Sequence, residues 1–153
     1  LEERLNALLR YNESFGVLFL DIDDFKAVND RLGHGVGDRV LKMVSATLTA
    51  NLRASDYVMR WGGEEMLAVV MHMTPKALAQ LAEKLRVLVE NSGFTQEGQT
   101  VSVTVSIGGT AARKEDTPNS LVRRADSLMY ESKKRGRNCI TLAPAPDDAE
   151  NQS

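Results

Sequence analysis

Arg60-Trp61-Gly62-Gly63-Glu64-Glu65-Met66 lies between two apolar stretches, Tyr57-Val58-Met59 before it and Met66-Leu67-Ala68-Val69-Val70 after it. Apolar runs flanking paired glycines read as a β-hairpin with Gly62-Gly63 as its turn. Glycine there permits positive φ and lets a ligand approach the backbone, at Gly63 in particular. Two carboxylates directly after a tight turn are poor material for a buried hairpin. They suit a magnesium site or a proton acceptor; the plain alternative is a solvated turn flanked by acids.

Upstream, Leu18-Phe19-Leu20-Asp21-Ile22-Asp23-Asp24-Phe25-Lys26 is an apolar strand running out into acids, a phenylalanine and a lysine. If this strand neighbours the hairpin, the carboxylates of Asp21 and Glu65 reach one point in space. Phosphoryl and nucleotidyl transfer needs charge neutralisation and alignment, and hard divalent metals on carboxylates provide both. Alternation points Asp23 the same way as Asp21, either to support the site or to bond local backbone amides. Ile22 to Lys26 leaves the strand for a helix, so its amides can face a phosphate.

Away from these segments the chain alternates helix and strand. Leu1 to Leu9 is an amphipathic helix, and Gly16 to Asp21 a strand. A helical turn spans Phe25 to Arg31, and a long helix Val36 to Leu52 has Val40, Leu41, Val44, Leu48 and Leu52 at helical spacing. Hairpin strands cover Asp56 to Trp61 and Glu65 to Met71. Thr74-Pro75 and Thr117-Pro118 each pair an N-cap with a first helical residue. Thr100 to Ile107 alternates with period two and reads as one strand, bent or ended by Gly108-Gly109. Asn138 to Leu142 is the last strand, with Cys139 a small buried residue within it. Helices over one face of a mostly antiparallel sheet make an α+β sandwich.

The 153 residues suffice for one domain with a substantial core, 42% of them being hydrophobic. A net charge of −2 gives no sign of a nucleic-acid surface, which would be markedly basic, and no nucleic-acid partner is expected. The single cysteine excludes an internal disulfide and fits a reducing cytoplasm. No apolar run reaches the roughly 20 residues of a membrane span, so no direct membrane contact is expected.

The acidic strand end, the segment Asn29-Asp30-Arg31-Leu32-Gly33-His34-Gly35-Val36-Gly37-Asp38, the Gly62-Gly63-Glu64-Glu65 hairpin and the closing Lys133-x-x-x-Arg137-Asn138 occur in a set order. That ordered set, across residues 16 to 142, resembles the GGDEF family of diguanylate cyclases. The resemblance implies a ferredoxin-like core related to polymerase palms and nucleotide cyclases. It also implies condensation of two GTP into cyclic di-GMP and two pyrophosphates, performed by a transient antiparallel homodimer. Asp21, Glu65 and the carbonyl of Ile22 would bind Mg2+ or Mn2+, two ions per site. Glu64 would be general base or extra metal ligand, and the residues alone leave the two roles open.

The resemblance places the triphosphate at the backbone of Asp24 and Phe25 and beside Lys26, Lys133 and Arg137, with Lys134 and Arg135 left as surface charge. The Phe25 side chain is expected in the core. Asn29 and Asp38 would read guanine: a carboxylate accepts from N1–H and the exocyclic amine, whereas adenine N1 is only an acceptor. Read alone, both residues equally suit helix caps. Arg53-Ala54-Ser55-Asp56 stands where the family keeps an inhibitory product site, and Lys84 on the following helix either adds a cation there or is simply solvated.

Departures from the pattern are Met66 where phenylalanine is usual and Trp61 where tyrosine is common. The family's upstream Asp-x-Leu-Thr turn is also missing. Residues 1–142 therefore read as an N-terminally truncated catalytic module of a longer, cytoplasmic protein, whose remainder would carry a sensory or dimerising part and could be membrane-tethered. Residues 143–153, polar and broken by Pro144 and Pro146, read as a disordered tail. Two rival functions remain: a catalytically weak module sensing GTP or cyclic di-GMP, and a nucleotidyl cyclase with a mixed or adenine product.

Overall fold

The computed structural model describes residues 2–145, so Leu1 and residues 146–153 of the expected 143–153 tail lie outside the described residues, while Ala143, expected in that tail, donates its N–H to Gly109 O at 2.9 Å. β1 (Phe15–Ile22) is buried along nearly its whole length because it is the middle strand of the main sheet. The sheet order is β2 (Tyr57–Gly62), β3 (Glu65–Met71), β1, β6 (Val105–Ala111), β7 (Ile140–Leu142). All neighbours pair antiparallel except β6 and β7, which run parallel.

Helices cover both faces of this sheet, not one. Alternation along β1 sends Leu18, Leu20 and Ile22 to one side, where they meet Val40 and Val44 of α3 (His34–Ala50) and Leu78 and Leu85 of α4 (Pro75–Glu90). Phe15, Val17 and Phe19 go to the other, against Leu5 of α1 (Glu2–Arg10) and Leu121, Ala125 and Met129 of α5 (Pro118–Lys134). A strand with two buried faces is apolar at every position, which hides the alternation that would have announced its second layer. α2 (Phe25–Leu32) packs Phe25 and Val28 into the α3/α4 side of the core. Both Thr-Pro starts behave as read. Thr74 accepts from Ala77 N–H, and Thr117 forms a reciprocal capping box with Ser120.

Other details correct the sequence reading. The hairpin turn is Gly63-Glu64, after an irregularity between Arg60 and Gly62, and neither Gly62 nor Gly63 has positive φ. The expected strand over 100–107 is broken. Its first part forms a separate hairpin, β4 (Phe94–Gln96) with β5 (Gln99–Val101), turning at Glu97 and Gly98 with φ of 49° and 77°. The double positive φ is the signature of a type I′ turn. After residues 102–104, β6 continues straight through Gly108 and Gly109, which neither bend nor end it. A Cβ on Gly108 would lie 2.1 Å from Met129 N and 2.2 Å from Ala125 O, so this glycine lets the α5 backbone lie directly on the sheet. Cys139 precedes β7 and is half-buried, its Sγ 3.3 Å from Ser132 O.

Candidate active site

The β1/β3 register places Asp21 opposite Glu65. Ile22 N–H donates to Glu64 O at 3.2 Å, which makes Asp21 and Glu65 the adjacent pair without mutual backbone bonds. In such a pair the side chains stand closest, and both carboxylates lie on the α5 face. They open into a cleft of ≈ 530 Å³ lined also by Asp24, Phe25, Glu64 and Arg137.

Lys133 of α5 reaches into this cleft. Its ammonium is 2.7 Å from Asp21 Oδ1, 2.8 Å from Asp23 Oδ1 and 3.5 Å from the Ile22 carbonyl. Asp23 is the buried member of the group, with its side chain 3% exposed. It accepts from Thr104 and Ser106 hydroxyls at 2.7 Å each and from Asn138 N–H at 3.0 Å. Asp23 is therefore a structural anchor for Lys133 and for the segment after α5. Of its partners, Thr104 and Ser106 are more than 80 positions away in the chain and gave no sequence signal.

The charges respond to these surroundings. Burial pushes the Asp21 carboxyl above the ordinary range, more than Lys133 pulls it down. Burial also raises Glu65, reinforced by repulsion from Asp21, Asp126 and Glu64. At Asp23 burial acts upward but loses to the hydrogen bonds from Lys133, Ser106, Thr104 and the Asn138 amide, so its carboxyl titrates low. Lys133 is pushed up, because its bonds to Asp21 and Asp23 outweigh burial. Asp126 of α5, which the sequence reading passed over, is thus a further carboxylate at the cleft.

Among the described residues no group of three or more His, Cys, Asp or Glu side chains forms a ready-made metal cluster. The oxygens of Asp21, Ile22 and Glu65 are nevertheless hard donors, and the Lys133 ammonium already sits as a cation among the first two. Such a set fits Mg2+, which characteristically takes one or two carboxylates and completes its shell with water and substrate phosphates.

The other expected site residues fall into distinct places. Asp24 precedes α2 with φ of 54° and a side chain that caps nothing. The first amides of α2, including Phe25 and Lys26, have no carbonyl behind them in the helix, and both residues line the cleft. Phe25 is buried as expected, and Lys26 is exposed. Arg137 Nε is 3.5 Å from Asp24 Oδ1, both side chains being exposed. Asn29 and Asp38 cap neither helix, since α2 is preceded by Asp24 and α3 by Gly33. Asn29 Oδ1 instead lies against Gly37, where a Cβ would come within 1.9 Å of it, next to Asp38 on the first turns of α3.

Arg53 and Asp56 sit at the opposite end of the β2/β3 hairpin from Glu65. Both Asp56 carboxylate oxygens accept backbone N–H groups, from Arg53 at 2.8 Å and Met71 at 3.0 Å. Lys84 is exposed on α4, and among the described residues no hydrogen bond or ion pair joins it to either. No helix of the described residues is long and apolar enough to cross a membrane.

The chain is similar to known proteins. Residues 1–139 match the family described as diguanylate cyclase, GGDEF domain. The chain is 36% identical over 140 residues to diguanylate cyclase A of Treponema denticola and 40% identical over 126 residues to response regulator PleD of Caulobacter vibrioides. These alignments cover 91% and 80% of this chain but only 38% and 28% of those relatives. Among solved structures, the GGDEF domain of DgcB from Caulobacter crescentus in complex with c-di-GMP superposes with a TM-score of 0.86 at 28% identity, covering 93% of this chain and 85% of that one. The GGDEF domain of PA1120 from Pseudomonas aeruginosa gives 0.85 at 32% identity, covering 99% and 90%. The chain belongs to the GGDEF-domain family of diguanylate cyclases.

Proposed function

We propose that this domain condenses two GTP molecules into cyclic di-GMP and two pyrophosphates, with a divalent metal and with two copies facing each other. The observation that carries this reading is the pairing of Asp21 with Glu65 in one cleft, with a lysine cation between strand and helix. Asp21, Glu65 and the Ile22 carbonyl would hold the metal. When bound, it would neutralise phosphate charge and align the α-phosphate for attack.

Lys133 then has a second task. Its ammonium balances Asp21 and Asp23 here; with a metal held by Asp21 it would be free to bind the triphosphate, alongside Arg137 and the amides of Phe25 and Lys26. Asn29 and Asp38 read the guanine edge. Glu64, at the hairpin tip, accepts the ribose 3′-hydroxyl proton or adds a metal ligand. The 3′-oxygen bonds to the α-phosphorus of the facing domain's GTP and pyrophosphate leaves; the reciprocal step closes the ring. Arg53 and Asp56, with Lys84, form the inhibitory product site, Asp56 using lone pairs left over from its two backbone bonds.

Concentrated protein cleared of bound nucleotide and incubated with GTP and Mg2+ should yield cyclic di-GMP and pyrophosphate by chromatography. Glu64→Ala should abolish both. Metal-dependent GTP binding without product, even in an artificially dimerised protein, would replace this reading with a sensor.

A further inference from the structure

The segment after α5 has three consecutive residues of positive φ: Gly136 at 112°, Arg137 at 65° and Asn138 at 46°. Gly136 follows from how the helix ends. Its N–H bonds to Lys133 O at 3.3 Å and Arg137 N–H bonds to Ser132 O at 3.1 Å, the paired bonds of a Schellman close. Arg137 carries a side chain for which a left-handed backbone is disfavoured unless the surroundings hold it, and Asn138 beside it is of the type that tolerates this region best after glycine.

The hold comes from another helix. Arg86 of α4, with a side chain only 14% exposed, donates from Nη1 to Asn138 Oδ1 at 2.7 Å. Asn138 Nδ2 donates in turn to Glu90 Oε1 at 3.0 Å. The guanidinium is itself fixed, from Nε and Nη2 to Glu83 at 2.9 and 2.6 Å and from Nη1 to Glu90 Oε2 at 2.8 Å. Both polar atoms of the Asn138 side chain are thus engaged, while its backbone N–H reaches Asp23.

We infer that Arg86 is a positioning residue for the triphosphate end of the site: with Glu83 and Glu90 it clamps Asn138, keeping the left-handed turn that presents Arg137 to the cleft and the Asn138 amide to Asp23. The inference rests on the assignment of Arg137 and Lys133 to phosphate. Arg86 does not line the cleft, and its links to this segment meet at the Asn138 side chain, directly and through Glu90. A planar fork serves three acceptors lying in different directions, and a lysine point charge does not.

The test compares binding of a non-hydrolysable GTP analogue with binding of GMP, by calorimetry, in the presence of Mg2+. Arg86→Ala and Asn138→Ala should each weaken the analogue about tenfold, the scale of one misplaced charged hydrogen bond, and leave GMP nearly unchanged. Arg86→Lys should behave like Arg86→Ala, and the double variant should be no worse than either single. Amide exchange at Asn138 should accelerate in Arg86→Ala. Equal weakening of both nucleotides, undiminished analogue binding, or unchanged Asn138 exchange would each overturn the inference. If Arg86→Ala does not fold, Asn138→Ala carries the test, because it leaves α4 and the backbone N–H intact. A wild-type protein binding GMP as tightly as the analogue would instead sink the phosphate assignment beneath it.

Discussion

Gly37 shows how a residue without a side chain can govern the placement of another, here Asn29, the proposed reader of guanine. The space a Cβ would need is taken by Asn29 Oδ1 and bordered by the Phe25 ring. Gly37 has an ordinary helical φ, so alanine is tolerable for the backbone. Its cost falls on Asn29, a side-chain end able to swing away. Gly37→Ala should therefore keep the fold but raise the KM for GTP about tenfold and reduce discrimination against ATP, as loss of a hydrogen bond to guanine would. Unchanged preference between the nucleotides would remove Asn29 from the base site. Asn29 and Asp38 were ambiguous in sequence because the same residue types cap helices; the observed helix starts at Phe25 and His34 exclude capping.

At the scale of elements, α5 lies on the sheet through a close approach at Gly108, and Arg124 near its start ties it to β6 and to the preceding loop. Gly108 lets its backbone touch β6, and the obstructing atoms are backbone, which cannot move separately. Gly108→Ala should cost at least about 3 kcal/mol in urea unfolding, more than an ordinary one-methyl overpacking, since the helix must lift. Near the start of the same helix, Arg124 donates to Asp116 at 2.7 and 2.6 Å and to Thr110 Oγ1 at 2.8 Å. Burial pushes Asp116 up, but bonds from Arg124, the Arg113 amide and Ser120 prevail and hold its carboxyl below the ordinary 3.8.

A carboxylate lowered in the folded state stabilises above its unfolded pKa and loses that contribution as pH falls through the folded value. Asp116→Asn should cost about 2–3 kcal/mol at pH 7, leaving Arg124 half-buried without its anion. It should also flatten the loss of stability below about pH 4. An acid limb as steep as wild type would contradict the ion pair.

For the molecule as a whole, the cleft lies where the ends of β1 and β3 meet the start of α2, and its carboxylates and cations point outward from that edge. The proposed reaction has each domain hold one nucleotide and meet a second copy. Turnover should then rise more steeply than linearly with protein concentration, approaching second order at dilution. Strict proportionality in a dilution series would count against catalysis by encounter.

Much of this was legible beforehand, because strand pairing, turns and caps are local chemistry. Leu18 to Asp21, the acidic hairpin and the two Thr-Pro helix starts declare themselves in adjacent residues. The ordered motifs that carry the family resemblance are equally local, so the chain by itself determined the sheet's central strands, the acidic pair and the candidate chemistry. Only the tertiary structure decided that helices cover both faces, that Gly108 runs mid-strand beneath α5, and that Asp23 serves as an anchor. It alone joined Arg86 to Asn138, 52 positions apart. These depend on long-range packing and on directional hydrogen bonds between distant segments, for which no spacing within a single stretch of chain leaves a mark.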